Sequence, residues 1–181
     1  MEKILIVGNS SELLNLELGE KINSFDTVIR FNNFSYINNP YKSQVGSKID
    51  VHVVNNARKL HFYTENKKEI PDLKLILCDQ NGKRWSKDMK EKYEYIPQNF
   101  CKKMNGKFNH QKKMTTGFCT ILYYLYHLKY EKLYITNFDL DHKNVKNIFS
   151  SNQPIVDAHD FQKEKILLKN LIKEGKLIYL E

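Results

Sequence analysis

The residues of this chain that could do chemistry fall in four places. Gly8-Asn9-Ser10-Ser11 follows the apolar run KILIV (Lys3 to Val7). The stretch DTVIRFNN (Asp26 to Asn33) ends a second apolar run, Thr115-Thr116-Gly117 opens a long apolar pattern, and His159 and Glu164 stand in AHDFQKEKILLKN. A glycine after a buried strand lets the backbone turn tightly, and a helix starting there offers free N–H groups and a positive dipole end to a phosphate. Asn9 can donate and accept at once, so it can hold a phosphate or a ribose hydroxyl. Thr115 and Thr116 can cap a helix, and Gly117 lets a ligand approach the backbone N–H groups. His159, beside the predicted N-cap Asp160, would sit at a positive helix end, which favours the neutral imidazole that a general base needs. Each feature also has a plain reading: a strand–helix connector, an N-cap before a core helix, a structural histidine, a solvent-facing glutamate.

Several chemistries are excluded or weakened by pattern. The dinucleotide fingerprint G-x-G-x-x-G and the P-loop G-x-x-x-x-G-K-[ST] are absent. Asp139-Leu140-Asp141 spells the Asp-x-Asp that holds a divalent ion on a nucleotide diphosphate in metal-dependent glycosyltransferases. His52, His61, His110 and His127 form no ligand set, and His127 on an apolar pattern reads as core. Cys78, Cys101 and Cys119 lack metal or disulfide spacing and read as thiols of a reducing compartment.

The elements that must position these groups are strands alternating with helices. Strands are predicted over 3–7, 27–31, 49–54, 73–78, 132–136 and 177–180, with helices over 12–22, 116–128 and 161–173, the last stopped by Gly175. The stretch from Gln80 to Met114 is lysine-rich without a clear period, and reads as irregular or mobile. A loop is expected from Asn137 to Ala158. This alternation indicates an α/β, Rossmann-like three-layer sandwich with a mostly parallel sheet, one domain over all 181 residues. Met1 leads directly into the first strand and no apolar stretch is long enough for a bilayer, so a cytoplasmic location is expected. The net charge of +8 suits anionic partners, although the lysines are spread rather than clustered and a solvated surface explains them equally well.

The spacing from Val7-Gly8-Asn9-Ser10 through Gly19 and Ile22-Asn23 to Asp26-Thr27-Val28-Ile29-Arg30-Phe31-Asn32 resembles the large sialylmotif of the sialyltransferases, glycosyltransferase family 29. TTGFCTILYYLYHL from Thr115 resembles that family's small motif, and His159 with Glu164 resembles the very small motif His-x-x-x-x-Glu. The three occur in the family's order. The resemblance implies a GT-A-like variant of the fold. It implies an inverting, metal-independent enzyme that moves an acidic sugar, sialic acid or Kdo, from a CMP-sugar to a glycan or glycolipid hydroxyl. His159 would be the base. Gly8, Asn9, Ser10, Asn32, Thr115, Thr116 and Gly117 would hold the donor nucleotide, and Arg30, His142 and Glu164 are assigned to phosphate or acceptor contacts, with orientation of the helix or acceptor as the other role open to Glu164. No metal, cofactor or nucleic acid is expected; lipooligosaccharide or capsule synthesis, peripheral to the inner membrane, fits the class. The resemblance departs at three points. Ile4 and Lys129 stand where animal members have a disulfide, the family's third motif is missing around His142 (DLDHKN), and the chain is short for a family catalytic domain. Two other readings stay open: a metal-dependent nucleotide-diphosphate-sugar transferase using Asp139 and Asp141, and a non-catalytic nucleotide- or RNA-binding α/β module.

Overall fold

Apolar runs that bury both faces of a strand specify a central parallel sheet, and that is what forms. The computed structural model describes residues 2–11, 14–140 and 159–181. In chain order the elements are β1 (Ile4–Val7), α1 (Gly19–Asn23), β2 (Thr27–Phe31), α2 (Lys42–Val45), β3 (Val51–Val54), a 3-10 turn (Ala57–Lys59) running into α3 (Leu60–Glu69), and β4 (Lys74–Cys78). They continue as α4 (Lys87–Lys92), β5 (Glu94–Ile96), α5 (Gln98–Lys107), α6 (Thr116–Tyr126), β6 (Leu133–Thr136), α7 (Phe161–Lys173) and β7 (Leu177–Tyr179). Among the described residues the seven strands make one sheet in the order β5-β4-β3-β2-β1-β6-β7, and every pairing is parallel.

Alternate side chains divide the sheet into two apolar faces, giving the predicted three-layer sandwich. Ile4, Ile6, Ile29, Phe31, Val53, Ile76 and Cys78 share a core with residues of α5, α6 and α7. Leu5, Val7 and Val28 lie on the other face with Leu18, Ile22 and Phe25, while Val54, Leu75 and Leu77 meet Trp85. Cys101 of α5 and Cys119 of α6 bring their sulfurs within 3.3 Å, and all three cysteines are buried and free.

Two expectations fail for identifiable reasons. Among the described residues the helix expected over 12–22 forms at Gly19–Asn23, and residues 14–18 are turn and coil; residues 12 and 13 lie outside the described residues. Only its last part has a face to bury: Leu18 and Ile22 are inside, whereas Leu16 is exposed. Most helical stability in proteins comes from such packing rather than from propensity. The stretch 80–114, read as irregular, contains α4, β5 and α5. Ser86 caps α4 by accepting from Met89 N, and Phe100, Cys101 and Met104 bury one side of α5. Lysines flanking those apolar positions hide the helical period, and β5 is too short to show one.

A third correction concerns a site residue, Arg30. It is 1% exposed, on the sheet face opposite Phe31, and its guanidinium donates from Nε to Lys48 O (2.8 Å) and from Nη2 to Val45 O (2.6 Å) beneath the Phe34 ring. Burial pushes its pKa down to about 9, which still leaves it charged at neutral pH. It is a framework residue that fastens α2 and the following turn to the sheet, and not a phosphate or acceptor contact. Arg30→Met leaves two carbonyls without their donor and should lower the unfolding free energy by about 3 kcal/mol in urea titrations, whereas a phosphate-contact residue would leave it unchanged.

Beside it, His52 is fully buried with Nε2 donating to Asn32 O at 3.0 Å, and burial lowers its pKa to about 4. A histidine depressed in the fold gives stability that is present above its unfolded value and is lost as pH falls toward the folded one. The urea midpoint should therefore drop between about pH 6.5, the unfolded value, and the folded value near 4. His52→Gln should flatten that part of the curve.

Candidate active site

The sheet order places the candidate site. From β1 the strands run outward to β5 on one side and to β7 on the other, so the order reverses between β1 and β6. In an open α/β sheet, a crevice beyond the carboxyl ends at such a switch point is where ligands bind. Four central strands end there in asparagine: Asn9 after β1 (through Gly8), Asn32 after β2, Asn55 after β3 and Asn137 after β6.

Gly8 is demanded by the neighbouring backbone. A Cβ there would lie 2.1 Å from Asn137 O, while Gly8 N donates to Thr136 O at 2.8 Å and Ser10 N to Asn137 O at 3.0 Å. The turn after β1 is thus laced to the turn after β6. Asn32 and Asn137 both take the left-handed conformation, φ 48° and 58°, which asparagine tolerates better than most residues. Among the described residues the first helix after the Gly8 turn is α1, which begins at Gly19, so no helix end stands directly behind Ser10 and Ser11. Gly8, Asn9 and Ser10 can offer a ligand backbone and side-chain polar groups, but no dipole from a following helix.

That positive end comes from α6 instead. Thr115 is its N-cap, with Oγ1 accepting from Phe118 N at 3.1 Å. Thr116 is tied to the strand ends: Asn55 Nδ2 donates to its Oγ1 at 2.9 Å, and Asn32 Nδ2 lies 3.5 Å from the same oxygen. Asn32 Oδ1 accepts from Asn55 N at 3.1 Å. Asn32, Asn55 and Thr116 therefore form one polar cluster at the carboxyl edge, beside the free N–H groups of a buried helix. Gly117 has a different reason from the one expected. A Cβ there would meet the Phe138 ring at 2.8 Å, so its bare face makes room for Phe138 rather than for a ligand.

The last motif is fastened to this helix end. Glu164, 5% exposed, accepts from Thr115 N at 2.6 Å on Oε1 and from Thr115 Oγ1 at 2.7 Å on Oε2. Its two oxygens are thereby turned to the α6 cap, which makes it a holder of the site rather than a phosphate or acceptor contact. His159 pairs in a parallel bridge with Lys113, and Nδ1 is 2.8 Å from Lys113 O. A carbonyl can only accept, so Nδ1 carries the proton and Nε2 keeps its lone pair. Asp160 caps α7 through Lys163 N at 3.1 Å, as expected. His159 is thus held against Lys113, two residues before the α6 cap.

His142 and Asp141 lie outside the described residues. Asp139 is within 3.0 Å of Lys165 Nζ with little of its side chain exposed, and among the described residues no three His, Cys, Asp or Glu are grouped to hold a metal. Sequence reading missed Asn55, Asn137, Phe138 and His110. The first two carried a signal, since each follows an apolar strand as Asn9 and Asn32 do; Phe138 and His110 carried none.

Two variants test this lacing. Gly8→Ala should distort the β1 and β6 turns together and weaken ligand binding at the site more than tenfold, by titration calorimetry. Glu164→Ala, which strands the Thr115 N–H, should cost about 2 kcal/mol in stability, the penalty of a buried donor left unpaired.

Comparison with known proteins agrees with this arrangement. The family model for glycosyltransferase family 29 (sialyltransferase) matches residues 1–89, the part that holds the first motif, β1 to β4 and the turn after Asn55. Solved structures align over nearly the whole chain. A mammalian sialyltransferase is 18% identical with a TM-score of 0.71, covering 99% of this chain and 68% of that one. The same score, at 17% identity, is reached by a mammalian sialyltransferase in complex with Gal-beta-1-3GalNAc-ortho-nitrophenol, covering 99% and 69%. The sialyltransferase CstII from Campylobacter jejuni, in complex with the substrate analogue cytidine-5'-monophosphate, is 17% identical with a TM-score of 0.64, covering 99% and 80%. At these identities the likeness is one of fold. No curated protein matches the sequence.

Proposed function

We propose that this chain, a glycosyltransferase of the sialyltransferase type, moves an acidic sugar from a CMP-sugar to a glycan hydroxyl with inversion and without a metal. The observation that carries the reading is the grip of Glu164 on Thr115, which brings the His159 loop to the α6 N-terminus at the edge where Asn55 reaches Thr116. Three motifs far apart in the chain are thereby brought to one place at the carboxyl edge, where a shared ligand could meet all of them. The cytidine-5'-monophosphate complex of CstII, similar in fold, supports the nucleotide class.

In this mechanism the CMP phosphate lies at the α6 N-terminus. Backbone N–H groups at Thr116 and Gly117 and the amides of Asn9, Asn32 and Asn55 offer donors to it, with Gly8 and Ser10 lining the turn below. His159 Nε2 takes the proton of the acceptor hydroxyl as that oxygen attacks the anomeric carbon from the face opposite the nucleotide. The bond from the anomeric carbon to the phosphate oxygen breaks, and CMP leaves with the bonding pair. Donors fixed before the reaction stabilise that charge without reorganising, which is the electrostatic part of catalysis. The Lys113 carbonyl keeps His159 in the tautomer that can accept.

The donor sugar in this reading is sialic acid, with Kdo the near alternative, and the acceptor is a terminal sugar of lipooligosaccharide or capsule. A cytoplasmic enzyme peripheral to the inner membrane, with a net charge of +8 that suits an anionic surface, fits that acceptor. No helix of the described residues is long and apolar enough to cross a membrane. The Asp139–Lys165 ion pair stands against a diphosphate-sugar transferase built on Asp139, because the carboxylate is already neutralised.

Calorimetry with EDTA present should show CMP binding more tightly than UMP, UDP or GDP, with no gain on adding Mg²⁺ or Mn²⁺. His159→Ala should keep that affinity while lowering kcat about 10²- to 10⁴-fold, the usual weight of a general base. Binding confined to a UDP ligand plus metal would overturn the donor class, and unchanged kcat in the variant would remove His159 from the chemistry.

A further inference from the structure

Among the described residues, His110 is a buried ionisable side chain that the mechanism above leaves unused. It is 3% exposed, and its surroundings come from every element of the site's rear wall. Its backbone N–H donates to Asn105 O in the last turns of α5 at 2.9 Å. The ring lies roughly parallel to Phe118 of α6, with centroids 6.3 Å apart, and Nδ1 is 2.8 Å from Lys112 O. From α7, Glu164 Oε1 faces Nε2 at 3.5 Å, and the Asp160 charge is felt as well.

The tautomer is settled by Lys112 O, which can only accept, so Nδ1 carries a proton. A neutral ring would then turn the Nε2 lone pair toward the Glu164 carboxylate, a repulsive arrangement in a buried place. A protonated ring puts an N–H there instead. Glu164 and, more weakly, Asp160 accordingly raise the His110 pKa, against the opposing effect of burial.

We propose that His110 is a positioning residue for the donor site: as an imidazolium it holds Glu164, Glu164 holds the Thr115 cap, and the cap aims the α6 N-terminus at the nucleotide. This rests on the donor reading above. When His110 loses its proton, the lone pair faces Glu164 and the carboxylate's hold on Thr115 weakens. Donor affinity therefore falls as pH rises through the His110 midpoint, a dependence that belongs to neither His159 nor the ligand phosphate.

The test has a ligand-free arm and a ligand arm. In the unliganded protein, NMR titration from about pH 5.5 to about 9 should give a His110 ring midpoint above about 6.5, the ordinary histidine value, brought down in Glu164→Gln. The Thr115 amide shift should follow the same midpoint, and in His110→Gln it should no longer titrate there. Calorimetry of CMP in EDTA then compares His110→Gln with wild type across that range. The ratio of dissociation constants cancels the ligand's own ionisation. It should be about two- to fivefold on the acid side, the worth of one supporting ion-pair contact, and fall toward one on the alkaline side.

A Thr115 amide that ignores the His110 midpoint overturns the proposal whatever CMP does. So does a ratio that is the same at every pH, which is the mark of a merely structural loss. Coupling of Thr115 to His110 with no CMP binding at any pH supports the relay but fails the donor reading, so the two failures are distinguishable.

Discussion

The arrangement at the carboxyl edge depends on one carboxylate. Glu164 stands in the first turn of α7, yet both its oxygens are turned to Thr115, the cap of α6. A helix N-terminus leaves N–H groups without intrahelical partners, and a buried one must find them elsewhere. Thr115 Oγ1 satisfies Phe118 N and Glu164 satisfies Thr115 N, so the N–H groups left for a ligand are those of Thr116 and Gly117. The same contact decides where α7 begins. With Glu164 fixed, Asp160 caps the helix and His159 falls beside Lys113, its tautomer chosen by a carbonyl. His159 and the α6 N-terminus are therefore not independent placements. They are two consequences of one buried pair of hydrogen bonds.

The second constraint is the height at which the central strands stop. Parallel strands whose turns share one edge bring several chain segments to the same small area, and the β1–β6 reversal opens that edge to a ligand. Two of the turns are so close that Gly8 cannot bear a side chain. Two asparagines bend into the left-handed region: the side-chain Oδ1 of Asn32 takes Asn55 N, and the backbone carbonyl of Asn137 takes Ser10 N. Asparagine at a strand end does two jobs here. It lets the chain reverse, and it leaves an amide that can donate and accept where a nucleotide would lie. That double use explains why four central strands end in the same residue while β4 ends in Asp79, whose carboxylate serves Arg84 N and Lys90.

How much of this could be read from the sequence follows from the range of each interaction. The strands were legible because a run such as KILIV needs both faces buried, and the capped helices α6 and α7 because Thr115, Asp160 and Gly175 mark their ends locally. The resemblance to family 29 located Asn9, Asn32, Thr115 and His159. It could not separate framework from ligand contact, because that depends on which way a side chain leaves its strand and what waits there. Glu164 was assigned to the ligand side as well as to helix orientation because its partner Thr115 lies far off in sequence. The helix over 12–22 was overread, since its leucines are spaced for a helix while, among the described ones, Leu16 is exposed and only the end of the stretch, at Leu18 and Ile22, is buried. His110 was passed over because nothing in FNHQKK indicates a carboxylate that α7 supplies.

Arg30 shows why a motif residue need not be a ligand residue. An arginine at a strand end near a phosphate site invites the pairing of charges, and a guanidinium suits it well. Yet the side chain alternates away from Phe31 and enters the face covered by α2, where burial alone disfavours its charge. Two carbonyls and the Phe34 ring compensate, and in doing so they tie residues 45–48 to the strand that carries Asn32. His52, in register with Arg30 across the β2–β3 pair, adds a donor to Asn32 O from the same face. The charge inside the fold thus reaches the candidate site through backbone geometry: it fixes β2 from behind, and the residue it fixes is the asparagine at the strand's open end. A ligand-site motif can hold such a residue in place as firmly as it holds a contact, because a donor amide displaced by an ångström no longer meets its acceptor.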